Sequence, residues 1–261
     1  MKINDARWVA SQYRTWENYA ARARIYELYD VSPERWLPWL FARLELRPGE
    51  RVLEVGCGPG YLWEHNAERI PPGLTLVLTD LSSGMLEAAR ARLAGLSPQP
   101  AFQEADAQAL PFPDEDFDCA IANHMLYHVP DRALALREAR RVLRRGGRLL
   151  AATNASAHLA ELREALARAG LAKDESAAGE FPLEAAAQEL SAVLRVERVQ
   201  RRDGALEVRD TETLVAYVRS TRPRAPDDAI ERLRAHVARQ IEVAGAFHIG
   251  ISAGVVTAVK P

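Results

Sequence analysis

The run V-L-E-V-G-C-G-P-G at residues 52–60 carries the clearest chemical signal in the sequence. Glycines at the end of an apolar strand let the backbone turn sharply and approach a ligand without a clash from Cβ. A dinucleotide-binding loop needs the pattern G-x-G-x-x-G, with a pyrophosphate at the helix N-terminus. Here the spacing is G-x-G-x-G, and Tyr61 stands where the third glycine would be. The spacing therefore disfavours a nicotinamide cofactor without excluding it.

Strands and helices alternate around this loop. Regular β-α-β-α alternation predicts a parallel sheet with helices on both faces and right-handed crossovers. Apolar periodicity predicts strands at 51–55, 74–79, 101–105, 117–123 and 148–153, and helices at about 60–70, 82–93 and 131–144. Beyond residue 155 it predicts helices at 157–169, 210–220 and 226–244, and strands at 193–201 and 249–260.

The first 49 residues differ from the rest in aromatic content, because they hold nine of the 18 aromatic residues in the chain. We expect this segment to be mostly helical, with breaks near 32–33 and 47–49. Core packing explains any single ring, but the concentration favours a lid over a ligand. We expect residues 8–30 to form that lid.

The composition excludes several classes of protein. Lys plus Arg is 34 and Asp plus Glu is 36, so no global positive field is available to grip nucleic acid. No apolar run approaches a membrane span, and the start lacks an apolar signal core, so we expect a cytoplasmic protein. The two cysteines, Cys57 and Cys119, are too few for a disulfide framework and are expected to be buried. The histidine spacing does not suit a metal site, and we expect no metal.

Taken in order, the motifs resemble those of class I S-adenosylmethionine-dependent methyltransferases. Residues 54–60 look like the family's motif I, and residues 110–118 resemble the L-P-F-x-D-x-x-F-D run of the ubiquinone/menaquinone-biosynthesis type. Residues 141–147 are similar to R-V-L-K-P-G-G, with Arg145 in the usual proline place. The resemblance covers residues 50–155. The run at 123–129 is also similar to an uncharacterised bacterial branch of small-molecule methyltransferases of the methyltransferase domain 11 type.

The resemblance implies a Rossmann-like α/β fold. It implies a mostly parallel seven-stranded sheet in the order 3-2-1-4-5-7-6, with helices on both faces and a helical insertion before the last strand. A single domain over residues 1–261 is expected. It would comprise a helical lid at 1–49, a cofactor-binding core at 50–155 and a C-terminal part at 156–261 that completes the sheet.

The resemblance also implies S-adenosylmethionine as methyl donor, S-adenosylhomocysteine as product, and a small-molecule acceptor. In the family, an acid after the second strand bonds the ribose diol, for which a carboxylate offers two acceptor oxygens, and an acid after the third strand lies near the adenine. An arginine can bind the methionine carboxylate bidentately, and an aromatic face can stabilise the sulfonium. Carried over to this sequence, the cofactor residues are Glu54, Gly56, Cys57, Gly58, Gly60, Asp80, Leu81, Met85, Asp106, Ala107 and Asn123, with Tyr13, Tyr19 and Arg22 around the methionine moiety.

His124, Tyr127 and His128 follow the fourth strand, where residues of the family face the acceptor, and are the catalytic candidates. A base is needed only when the nucleophile arrives protonated, and the pKa of histidine suits that task. Packing against the next helix is the alternative role for His128. Three other functions stay open: a non-catalytic S-adenosylmethionine sensor, a nicotinamide-dependent oxidoreductase, and a nucleic-acid or protein methyltransferase. The absence of N-P-P-Y or D-P-P-Y after the fourth strand argues against methylation of base amino groups.

Overall fold

The computed structural model describes residues 17–171 and 181–261. The predictions made for Tyr13 and for the start of the lid lie outside the described residues. For Tyr19 the backbone is described, within a helix, and the side chain is not. None of the helices in these two ranges combines the length and the apolar character needed to cross a membrane.

Seven strands form one sheet in the order β3-β2-β1-β4-β5-β7-β6, which confirms the predicted topology. Strands β1 to β5 run parallel to one another, whereas β7 is antiparallel to both β5 and β6. The strands are β1 Arg51–Val55, β2 Thr75–Asp80, β3 Ala101–Glu104, β4 Phe117–Asn123, β5 Leu143–Asn154, β6 Arg195–Val208 and β7 Phe247–Val259.

Helices cover both faces of the sheet, as predicted. The helices are α1 Glu17–Tyr29, α2 Trp36–Leu44, α3 Tyr61–Glu64, α4 Ser83–Arg92, α5 Arg132–Val142, α6 Ala160–Arg168, α7 Leu183–Ser191, α8 Thr211–Thr221 and α9 Asp227–Ala244. Buried side chains of α5 and α7 form a core on one face, and those of α2, α3 and α4 form a core on the other. A third core joins α1, α6, α8 and α9 to the ends of β6 and β7.

The structure differs from the sequence-based expectation in the lengths of several elements. The predicted helix at 60–70 is two short pieces, α3 and a 3-10 turn at Ala67–Arg69, because the side chain of Asn66 donates to the carbonyl of Leu62 between them. Strand β6 continues to Val208, since β7 pairs with it along its whole length. Helix α7 was not predicted; it packs Leu183 and Leu190 into the core.

The N-terminal segment is anchored at the edge of the sheet. Ile25 of α1 is buried in the third core, and Val31 donates its N–H to the carbonyl of Ala205 at 3.0 Å. A buried ion pair, 3.2 Å from Asp30 to Arg202, fixes the end of α1 to β6. The described part of the predicted lid is therefore a packed element of the fold.

Candidate functional site

The loop between β1 and α3 contains three glycines with positive φ, at 69° for Gly56, 54° for Gly58 and 83° for Gly60. A Cβ at Gly56 would lie 2.8 Å from Cβ of Met125, and one at Gly60 would lie 2.9 Å from Cδ1 of Leu93. Nothing lies within 4 Å of a Cβ built at Gly58. The first and last glycines are thus required by packing, whereas Gly58 faces open space at the carboxyl edge of the sheet.

Asp80, at the end of β2, fixes the position of this loop. Its Oδ2 accepts a hydrogen bond from the N–H of Gly58 at 2.9 Å, and its Oδ1 accepts one from the N–H of Ser82 at 2.9 Å. Burial raises the pKa of the Asp80 carboxyl, and the backbone hydrogen bonds oppose that shift. Each oxygen keeps a further lone pair for a ligand. The next residue, Leu81, is 48% exposed and offers an apolar surface beside the carboxylate.

Four of the predicted cofactor residues have buried side chains: Glu54, Cys57, Met85 and Ala107. Glu54 is 1% exposed, and its Oε2 accepts a hydrogen bond from the indole N–H of Trp63 at 2.7 Å. Cys57 and Met85 are also buried, and burial raises the pKa of the Cys57 thiol. These side chains therefore belong to the interior of the protein. The exposed edge is left to the backbone and to Asp80.

Replacing Glu54 with glutamine should make the stability of the protein less sensitive to a rise in pH between about 4.5 and 8. Burial raises the pKa of Glu54 to about 8 in the folded state, from an ordinary value of 4.5. Between these two values the folded state binds more protons than the unfolded state, so the free energy of unfolding falls as the pH rises, by about 1.4 kcal/mol per pH unit at most. The Glu54→Gln variant cannot lose this proton.

Urea unfolding of both proteins at pH 5, 6.5 and 8 tests this expectation. The stability of the variant relative to the parent should increase steadily across the series. Glu87→Gln, which changes an exposed carboxyl of α4, should show no such trend. A constant difference between Glu54→Gln and the parent from pH 5 to pH 8 would contradict the proposed titration of Glu54.

The loop after β3 is held by a residue that the sequence analysis missed. The carboxylate of Asp106 accepts hydrogen bonds from the N–H of Gln108 at 2.9 Å and from its side-chain amide at 3.0 Å. The amide oxygen of Gln108 in turn accepts from the N–H of Asp131, at the start of α5. Ala107 is buried against α5. Gln108 therefore fixes Asp106 near the carboxyl end of β3.

The three catalytic candidates lie together after β4. The ring of His124 is 5.0 Å from that of Trp36 and 6.3 Å from that of Tyr127, and the ring of Tyr127 is 4.6 Å from that of His128. His124 has the left-handed conformation, with φ 54°, and burial lowers its pKa to about 4. Its imidazole is therefore neutral near pH 7. Trp36, at the start of α2, was not among the predicted site residues.

Asn123, the last residue of β4, carries a polar atom that the described residues leave without a hydrogen bond. Its side-chain oxygen Oδ1 is buried and has no donor within reach in residues 17–171 and 181–261. A buried acceptor without a partner is costly, and such atoms call for a functional explanation. A ligand with a hydrogen-bond donor would provide one.

A second pair of aromatic side chains extends this cluster. The hydroxyl of Tyr26 lies 3.1 Å from Nε2 of His158, and the two rings stack with centroids 6.3 Å apart. Sequence reasoning missed both residues. Arg22, a predicted ligand of the cofactor, lies four residues before Tyr26 and thus on the same face of α1. The described residues contain no group of three or more His, Cys, Asp or Glu side chains arranged to hold a metal ion.

Comparison with known proteins gives a consistent result. Residues 53–151 match the family model described as a methyltransferase domain. Over 117 residues the chain is 38% identical to the ubiquinone/menaquinone biosynthesis C-methyltransferase UbiE of Hahella chejuensis, a match that covers 44% of this chain and 47% of that one. Over 118 residues it is 41% identical to the methyltransferase GfsG of Streptomyces halstedii, covering 44% and 42%. The chain spans less than half the length of these curated relatives.

The fold is also similar to that of a solved structure, a candidate methyltransferase from Bacillus halodurans C-125. The TM-score is 0.63 at 20% sequence identity, and the superposition covers 86% of this chain and 98% of the other. At this level of identity the likeness concerns the fold.

Proposed function

Because residues 53–151 match the methyltransferase domain family and the sheet has the strand order that the resemblance to class I methyltransferases implies, we propose that the chain methylates a small molecule with S-adenosylmethionine. The observation that carries this proposal is the space at Gly58, which opens beside the Asp80 carboxylate at the carboxyl edge of the sheet. Ligands of open α/β sheets bind at this edge.

The residues around this space fit S-adenosylmethionine. Asp80 would accept hydrogen bonds from the ribose hydroxyls, and the exposed Leu81 would pack against the adenine ring. Backbone at Gly56 and Gly58 would approach the methionine moiety without a Cβ in the way. The unpartnered oxygen of Asn123 would accept from the ammonium group. When bound, the cofactor supplies an electrophilic methyl group on a sulfonium.

The residues after β4 would align the acceptor and exclude water. Alignment of two reacting groups is worth about 7–11 kcal/mol of a barrier, so a methyltransferase needs no covalent intermediate. His124 is neutral near pH 7, and because burial lowers its pKa to about 4 it is a weak base, so its proposed role is to contact the acceptor. The rings of Tyr127 and His128 pack beside His124 and belong to the same cluster.

The position of the N-terminal helices supports a small acceptor. Trp36 of α2 contacts His124, and Tyr26 of α1 contacts His158 beyond β5. Side chains from outside the sheet thus cover the edge at which the acceptor would enter. A covered edge of this kind admits a small molecule more readily than an exposed polymer strand or a folded protein surface.

Isothermal titration followed by an activity screen tests the proposal. S-adenosylhomocysteine should bind, and NADH should not. Incubation with methyl-labelled S-adenosylmethionine and a panel of small molecules should then transfer label to at least one of them. Binding of NADH in place of S-adenosylhomocysteine would support an oxidoreductase. Binding of S-adenosylhomocysteine without transfer to any acceptor would support a sensor.

A further inference from the structure

We infer that the indole N–H of Trp36 donates a hydrogen bond to an oxygen of the methyl acceptor. Trp36 thereby selects a planar molecule that carries a carbonyl or hydroxyl oxygen. The inference rests on the proposed function, because it names the class of acceptor for the same site. Trp36 contacts the acceptor in this assignment and has no part in holding the cofactor.

The indole nitrogen of Trp36 is a buried donor for which the described residues provide no partner. Nε1 is closed off from water, and no acceptor in residues 17–171 and 181–261 lies within hydrogen-bond reach of it. Such a donor is costly, because it has lost its water without gaining a protein group in exchange. The buried Trp63 shows the usual solution, since its indole N–H donates to Glu54 at 2.7 Å. The N–H of Trp36 is therefore available to a ligand.

The ring of Trp36 lies on the acceptor side of the proposed site. Its centroid is 5.0 Å from that of His124, and the ring of His124 is 6.3 Å from that of Tyr127. His124 directly follows Asn123, whose buried Oδ1 has no donor within the same described ranges. An unpaired donor and an unpaired acceptor are thus both neighbours of His124. We assign the acceptor, Asn123, to the cofactor and the donor, Trp36, to the molecule that is methylated.

A stack of side chains along α2 holds the ring of Trp36 in place. The ring is 5.2 Å from that of Trp39, with an angle of 23° between the two planes. The guanidinium of Arg43 lies 3.9 Å from the centroid of the Trp39 ring and donates to the Trp39 carbonyl at 2.7 Å. Trp39 is buried in the core, so the core fixes the position of Trp36. A donor that is already in place loses little freedom when a ligand binds.

The surroundings of this donor indicate the shape and chemistry of the acceptor. Trp36, His124 and Tyr127 are each only partly buried, so their rings keep surface that a ligand can contact. Rings pack well on other rings, which favours a planar ligand. An indole N–H only donates, so the ligand must offer an atom that accepts. A ligand reaches Nε1 by displacing the side chains that cover it, and rotamer changes of this kind are common on binding.

A pair of isosteric probes tests the donor. Acetophenone carries a carbonyl oxygen on a planar ring, and α-methylstyrene has a methylene group in place of that oxygen. Their binding to the protein saturated with S-adenosylhomocysteine is followed by the NMR signals of isotope-labelled indole N–H groups. Trp36→Phe keeps a ring and removes the N–H. Trp39→Phe, the same change one turn along α2, is the matched control, because a phenyl ring there can still stack on Trp36.

The parent should bind acetophenone about three- to tenfold more tightly than α-methylstyrene, as expected for one hydrogen bond. Acetophenone should also move the indole N–H signal of Trp36 downfield, and α-methylstyrene should not. In Trp36→Phe the two probes should bind equally. In Trp39→Phe the preference for acetophenone should remain, even if both affinities fall together. A merely structural role of Trp36 would lower both affinities in Trp36→Phe and leave their ratio unchanged.

Three results would overturn the inference: no binding of acetophenone, equal binding of the two probes to the parent, or a preference that survives in Trp36→Phe. The last of these would assign the oxygen to another donor, such as His124. If Trp36→Phe does not fold, the indole signal of the parent decides, and a signal that acetophenone leaves unmoved counts against Trp36. Failure of S-adenosylhomocysteine to bind the parent would contradict the proposed function instead, and the probes are then titrated into the free protein.

Discussion

Replacing Gly58 with valine is expected to lower the affinity for S-adenosylhomocysteine by about 100-fold or more, a loss of roughly 2.7 kcal/mol. Gly58 has φ 54°, and the space around its Cα is open in the direction a side chain would take. A branched side chain there would fill the space in which the cofactor is proposed to bind. It would also strain the backbone whose N–H donates to Asp80. Isothermal titration measures the loss.

Gly245→Val is the matched control for backbone strain. Gly245 ends α9 with φ 77°, and nothing lies within 4 Å of a Cβ built there. Both variants should lose a similar amount of stability, about 1–2 kcal/mol for a left-handed residue with a side chain. The control should bind S-adenosylhomocysteine as the parent does. Unchanged affinity in Gly58→Val would remove the glycine loop from the cofactor site.

Removing the carboxylate of Asp80 should weaken cofactor binding roughly ten- to hundredfold, because hydrogen bonds to a charged group are worth about 1.5–3 kcal/mol. In Asp80→Ala the ribose hydroxyls would lose their acceptor. The N–H groups of Gly58 and Ser82 would lose theirs as well, so the loop would also lose its anchor. Asp80→Asn keeps one acceptor oxygen and should show an intermediate loss.

Asp118→Ala provides the comparison for Asp80→Ala. Asp118 also accepts a backbone hydrogen bond, from Arg51 at 2.8 Å, and it pairs with Arg144. It lies at the beginning of β4, at the opposite edge of the sheet from the glycine loop. This variant should be less stable but should bind S-adenosylhomocysteine normally. A crystal structure of the complex in which Asp80 turns away from the ribose would contradict the role assigned to it.

The positions of the residues proposed to hold the cofactor could be predicted because these residues follow strand ends at regular intervals. Gly56, Gly58 and Asp80 come directly after or at the end of β1 and β2, and parallel pairing of these strands brings them together. The same logic applies to Asn123 and His124 after β4. The local sequence therefore predicts each strand and also which residue stands at its end, where a ligand is proposed to bind.

The contact between Tyr26 and His158 could not be found in this way. The two residues are 132 positions apart, and neither belongs to a pattern with its neighbours. Contact between them depends on the anchoring of α1 to β6 through Asp30 and Arg202, which are 172 positions apart. The sequence analysis assigned no role to His158, because its hydrogen bond with Ser252 is a tertiary contact between residues 94 positions apart.

The aromatic residues near the N-terminus have two different structural roles, and the amino-acid composition alone does not show which residue has which role. Trp39 and Phe41 are buried in the core beneath α2, whereas Trp36, on the same helix, contacts His124. In a helix, residues three positions apart lie on nearly the same face, as Trp36 and Trp39 do. How deeply each ring is buried depends on its contacts with the sheet. The role of the segment before Glu17 as a lid stays a prediction.

Strand β7 lies between β5 and β6 in the sheet although it follows both in the chain. During synthesis on the ribosome, the side of β5 that pairs with β7 therefore remains without a partner strand until residues 247–259 emerge. Its side chains are largely buried in the finished fold, so the waiting edge is an apolar surface open to aggregation and to chaperones. Helix α1, the first helix of the described residues, packs on α8 and on β6, both of which follow β5 in the chain. The first described helix to be translated is thus among the last to reach its place.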